Sequence, residues 1–166
     1  MFALFRFDSF FSIWYWVLMV TVWTLVCHST LGVPHDMILR ATRAPDVADR
    51  VETLARIAAE RRAGLADAVG VPLAAVAGFA LAMLAALGFW SRVEFAAAAF
   101  VILFPLALVT IGEVRLARQV RAGRLTGDAL RRGIARQRAL NQGVAVLAIF
   151  AAAIAALERP LRGAAF

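Results

Sequence analysis

The residues with the most obvious chemical potential lie in one string, Cys27-His28-Ser29-Thr30-Leu31-Gly32-Val33-Pro34-His35-Asp36-Met37. It holds the single cysteine and both histidines of the 166-residue chain. A thiolate, two imidazoles and a carboxylate are donors from which metal centres are built. The spacing sets a plainer reading beside that one. Gly32 and Pro34 interrupt any helix between the two histidines, so their rings cannot share a helical face. A bis-histidine haem would need rings on opposite faces of the porphyrin, usually from separate helices. In the plainer reading the string is a helix terminus, where His28 bonds a carbonyl, Gly32 ends the helix and Asp36 caps the next segment. His28 and His35 are the metal or haem candidates, and no cofactor is expected. A lone cysteine excludes an intrachain disulfide and a cysteine-rich metal site.

Carboxylates buried in apolar helices would flag transport or a proton relay. Here Glu94, Glu113 and Glu158 all fall at the ends of apolar segments, where they can reach headgroups or arginine. Polar residues within those segments are mainly Ser12, Thr21, Thr24 and Thr110. No hydrolytic, phosphate-cradling or dinucleotide motif is present, and Tyr15 reads as an interfacial aromatic rather than a catalyst. No enzymatic activity is expected.

The elements that carry these residues are apolar. Hydrophobic residues make up 63% of the chain, against roughly 45–50% in soluble domains, and the mean hydropathy is +0.79. A hydrocarbon core of ~30 Å needs about 20 apolar residues in a helix. Four segments qualify, near residues 10–31, 68–90, 95–112 and 143–157. Only Ser91, Arg92, Val93 and Glu94 separate the second from the third, which predicts a tight helical hairpin, and Pro105 predicts a kink within the third. The first segment reads as a retained span rather than a signal peptide. Arg6 is offset by Asp8, and no small-x-small cleavage site follows. The whole chain, residues 1–166, is expected to form one all-α integral membrane domain.

Arginine sets the orientation. All 18 basic residues are arginine, against 11 acidic residues, for a net charge of +7. Arg40, Arg43, Arg50, Arg56, Arg61 and Arg62 lie in the connection spanning residues 34–67. Arg115, Arg118, Arg121, Arg124, Arg131, Arg132, Arg136 and Arg138 lie in that spanning 113–142. Arg6, Arg92, Arg159 and Arg162 fall on the other side. Basic residues beside apolar spans face the cytoplasm. Both connections are therefore expected inside a bacterial inner membrane, with both termini periplasmic. The eight arginines of the second connection suit anionic lipid headgroups, and no nucleic-acid partner is expected.

Both connections read as helical. Pro45 opens the first with Asp46 as its N-cap, and Val47, Val51, Leu54, Ala58 and Leu65 recur at helical spacing. Asp46–Arg50, Glu52–Arg56 and Arg56–Glu60 are opposite charges four residues apart, each worth about 0.2–0.5 kcal/mol. The apolar side of this amphipathic helix can rest on the membrane, pack on the second connection or dock a partner. The second connection continues the third span to about Arg121, turns at Gly123, and restarts after Thr126 into the fourth span.

Two features suit association. The second span is rich in small residues, among them Ala74, Ala77, Gly78, Ala82 and Ala85, which let helices approach closely; codon bias toward alanine explains the same residues equally well. The N-terminus is aromatic, with Phe2, Phe5, Phe10, Phe11, Trp14 and Trp16 forming an interfacial anchor or a partner-binding surface.

The strings Asp8-Ser9-Phe10-Phe11-Ser12-Ile13-Trp14-Tyr15-Trp16 and His28-Ser29-Thr30-Leu31-Gly32-Val33-Pro34-His35-Asp36-Met37 resemble a group of small bacterial four-span membrane proteins described as components of the Suf iron–sulfur assembly complex. The resemblance covers about the first quarter of the chain. It implies the four-span grouping and carries over no activity and no catalytic residue.

These readings lead to the expectation of a non-catalytic accessory, assembly or stabilising subunit. Its setting would be a larger inner-membrane complex, with an energy-transducing complex, respiratory or photosynthetic, as the natural guess. Self-association is the other partner class. The alternatives are a small oligomeric transporter or channel and a haem- or metal-binding membrane protein.

Overall fold

The computed structural model of the chain describes residues 13–41 and 43–163, with the side chains of residues 29, 35 and 158–163 outside that set. The described chain is all-α apart from one minimal hairpin. Helix α1 (Ile13–His28) leads into strands β1 (Ser29–Thr30) and β2 (Val33–Pro34), then a short α2 (His35–Arg40). Three long helices come next: α3 (Pro45–Ala85), α4 (Glu94–Arg121) and α5 (Gly127–Gly163). A five-residue π-helical segment, Ala86–Trp90, extends α3.

Three helical stretches are long and apolar enough to cross a membrane: Pro45–Trp90, Glu94–Arg121 and Gly127–Leu157. Helix α1 is apolar but has 16 described residues, about 24 Å of helix. The segment expected at 10–31 therefore leaves the helix at His28, three residues early. Residues 10–12 lie outside the described chain. Ser29 pairs with Pro34 and Thr30 with Val33, while Leu31 and Gly32 take positive φ at the turn. That two-residue reversal is the hairpin geometry whose twist suits paired strands.

At 1.5 Å per residue, the 46 residues from Pro45 to Trp90 extend about 69 Å, more than twice the apolar thickness of a bilayer. The amphipathic connection and the second apolar segment are thus one helix, continuous through Pro72. Its start corrects the expected cap. Ala44 holds the extended N-cap position without a side-chain bond, Pro45 supplies the first helical residue, and Asp46 lies in the first turn. Pro34 similarly precedes α2, with Asp36 in the first turn rather than at the cap. In both places a proline with its φ already near the helical value sets the helix start.

The buried face of α3 also differs from the expected one. Val51, Ala55, Ala59 and Ala63 are essentially inaccessible, whereas Leu54 and Leu65 are exposed. The stripe of small side chains turns inward because it lets the backbones of neighbouring helices close in. The larger apolar residues come from the other side of the contact: Leu116 and Val120 on α4, Leu130 and Ile134 on α5, and Leu31, Val33 and Ile38 from the hairpin and α2. This is the first of two cores. The second joins Tyr15, Met19 and Trp23 of α1 to Ala97, Ala98, Ile102 and Val109 of α4 and to Ala145, Ala148 and Ala152 of α5. Here α5 brings the alanines, α1 the bulk, and α4 both. Trp23 Nε1 donates to Met19 Sδ at 3.1 Å, one turn away.

Two glycines fix the connections. A Cβ on Gly88 would stand 2.6 Å from the amide nitrogen of Ala97, so only glycine permits the close approach of the α3–α4 hairpin. Gly123, at φ +69°, terminates α4. Its N–H donates to the Val120 carbonyl at 3.0 Å, and Arg124 N–H donates to the Gln119 carbonyl at 3.1 Å. That pair of bonds is the Schellman termination, which needs the left-handed backbone glycine adopts without strain. Helix α4 accordingly ends at Arg121 and α5 begins at Gly127, where the sequence places them. Ala129 and Leu130 N–H donate to the Thr126 carbonyl.

Candidate functional site: a polar junction between the two cores

Between the two cores the three long helices exchange polar side chains. Glu113 on α4 pairs with Arg62 on α3 through one carboxylate oxygen. Its other oxygen accepts from Asn141 Nδ2 on α5 at 3.3 Å. Asn141 Oδ1 accepts from Gln137 Nε2 at 2.9 Å. Asn141 is fully inaccessible, and the Glu113 side chain is 14% exposed against 38% for Arg62. Gln137 lies against Gly112, where any Cβ would meet its amide at 2.5 Å. Each member is satisfied by another, as buried polar groups must be. Burial pushes the Arg62 guanidinium below its ordinary pKa; an arginine starts so high that it stays charged.

At the threshold of the apolar half of α3, Asp67 binds two arginines of α4. Arg118 donates to Oδ1 at 3.0 Å and Arg121 to Oδ2 at 2.5 Å. The hydrogen bond from Arg121, reinforced by that from Arg118 and by both charges, holds the Asp67 carboxyl below the usual range. Nearer the α4–α5 turn, Glu52 accepts from Arg56 at 3.2 Å and from Gly127 N–H at 3.2 Å. A carboxylate from α3 thereby caps the positive end of α5, 75 residues away in sequence.

The eight arginines of the second connection divide by what they touch. Arg118 and Arg121 serve Asp67, Arg131 pairs with Asp128 and donates to the Ala41 carbonyl at 3.3 Å, and Arg132 donates to the Asp128 carbonyl at 3.4 Å. Arg138 donates to the His28 carbonyl at 3.5 Å, which ties the C-terminus of α1 to α5. Arg115, Arg124 and Arg136 are exposed. So is the side chain of His28, while that of His35 lies outside the described residues. Among the described residues no three His, Cys, Asp or Glu side chains gather closely enough to hold a metal.

The N-terminal aromatics also divide. Trp14 is 77% exposed, whereas Trp16 is half-buried against the core shared by α1, α4 and α5. Phe2, Phe5, Phe10 and Phe11 lie outside the described residues. Arg62, Gln137 and Asn141 are the site members that sequence reasoning passes over. The signal for them is the polar run Gln137–Asn141–Gln142 leading directly into an apolar segment.

What this junction can do is positional. It fixes the register of three helices at one level, and its donors and acceptors face each other rather than an open cavity. The chain matches no family model, no curated protein and no solved structure.

Proposed function

We propose that the chain is a non-catalytic accessory or assembly subunit of a larger inner-membrane complex, and that the apolar half of α3 is the part it offers to that complex. One observation carries this reading. Residues 71–80 are exposed on every side of the helix, and the most apolar 18-residue window of Pro45–Trp90 has no buried residue. The corresponding windows of α4 and α5 are 28% and 22% buried. A three-helix core of α1, α4 and α5 is complete without this segment, which meets α4 at its far end, where Gly88 lies against Ala97 and the Phe89 ring stands edge-on to that of Phe100. Its small residues, Ala74, Ala77, Gly78 and Ala82, suit a helix that seats another helix.

In this reading four segments cross the bilayer, the first of them containing α1. The arginine-bearing ends of α3, α4 and α5 project into the cytoplasm, and both termini are periplasmic. Reporter fusions at each terminus test that orientation, and signal from the cytosol overturns it.

The experiment for function is purification in mild detergent followed by native mass analysis. A photo-crosslinker at Phe79 is compared with one at Arg61. Co-purifying protein, captured from position 79 and not from 61, is expected. Recovery as a free monomer with lipid adducts alone at position 79 overturns the proposal.

A further inference from the structure

Of the eight arginines in the second connection, five are committed to groups within the chain, leaving Arg115, Arg124 and Arg136 exposed without an ion-pair or hydrogen-bond partner among the described residues. The fold then places two of these three at one level. Gly112 of α4 meets Gln137 of α5, and this contact lies where the apolar window of each helix gives way to its charged end. Arg115 is three residues beyond Gly112 and Arg136 is one residue beyond Gln137, so both stand within about 5 Å of that plane along the helices. Arg124 lies in the α4–α5 turn past Arg121, the end of α4, which is itself about 9 Å farther out than Arg115.

Both side chains also point away from the bundle. Arg115 follows inward-facing Glu113 by two residues, and Arg136 follows fully buried Ile134 by two. Two residues turn a helix by about 200°. Each arginine therefore emerges on the side opposite its helix's core contact, beside exposed Ile111 and Leu140 respectively. A guanidinium on the rim of an apolar surface, with no partner among the described residues, has the geometry to reach a phosphate ester there and bind it through paired N–H groups.

We infer that Arg115 and Arg136 are two separate contact points for the phosphate groups of anionic phospholipids, and that the paired Arg118 and Arg121 are not. The inference rests on the membrane reading above and narrows it to two residues.

The test titrates detergent-solubilised protein with phosphatidylglycerol, with phosphatidylcholine as the uncharged-headgroup control, and counts bound lipids by native mass spectrometry. Wild type should retain phosphatidylglycerol in preference to phosphatidylcholine. Arg115→Gln and Arg136→Gln should each weaken that retention roughly fivefold, the factor expected for one basic residue at an anionic surface. Arg115→Lys should keep most of it, and Arg118→Gln should leave it unchanged. Equal loss in Arg118→Gln and Arg115→Gln, or no loss in either, overturns the assignment. Inorganic phosphate that displaces the lipid at millimolar concentration would show a free anion as the ligand and also overturn it. Failure of the membrane reading looks different: the protein would then remain in aqueous solution without detergent.

Discussion

Helix α3 is one unbroken rod with two unlike halves. Over residues 45–67 it is amphipathic, its charges reach across to α4 and α5, and a stripe of one valine and three alanines is sealed from solvent. Over residues 68–90 it is apolar on all sides, and only Gly88 is buried. Both halves are rich in alanine, so alanine content does not separate them. What separates them is the surroundings: larger aliphatic side chains close over the first half, and for most of its length none of the described residues closes over the second. Alanine is thus a packing residue in one half and open surface in the other.

Substitutions that act on one half and spare the other sharpen this contrast. Ile134 closes on the alanine stripe from α5 and is fully buried. Ile134→Ala should lower stability by about 2–5 kcal/mol, while Leu73→Ala on the open half should change it by less than about 0.5 kcal/mol, both read from unfolding in detergent. Equal effects would break the comparison.

Glu113→Leu leaves Arg62 and Asn141 facing an apolar side chain. A loss of about 2–3 kcal/mol is expected, below the figure for a fully buried pair because Arg62 is partly hydrated. Arg62→Met in the same chain should recover part of that loss, and a double-mutant cycle measures how much.

Enlarging alanine tests the halves from the opposite direction. Ala59→Leu should cost about 1–3 kcal/mol by overpacking, whereas Ala77→Leu should leave the isolated protein's stability unchanged while reducing capture of any partner.

The smallest effect belongs to Asp67. Its folded pKa lies below the ordinary value of about 4. The stability it contributes is therefore fully present above that ordinary value and is lost as pH falls through the depressed one. Asp67→Asn should flatten the acid limb of a stability profile measured between pH 2 and 6 and change little at neutrality. Salt should mimic it, because the group is exposed.

Local signals are legible where one residue type decides local geometry. Gly123 stops α4 because the left-handed turn favours a residue without a side chain, and the restart after Thr126 comes in register. The hairpin after Trp90 is legible in the short polar link. Faces are less so. Leu54 and Leu65 are the larger apolar residues of the amphipathic stretch, and hydrophobicity alone turns them inward. The alanines face inward instead, since helices meeting closely have room there for a methyl group and not for an isobutyl. Asp46 and Asp36 mislead as helix starts because a neighbouring proline already sets the backbone.

By itself the sequence determined the helices, their apolar and charged portions and the turn residues, since propensity, hydropathy and glycine geometry act over a few residues. Only the tertiary structure decided that Glu113 meets Arg62, 51 residues away, that Asn141 completes the pair, and that the apolar half of α3 is left exposed. Those outcomes depend on the register and separation of helices distant in sequence, which no short-range preference specifies.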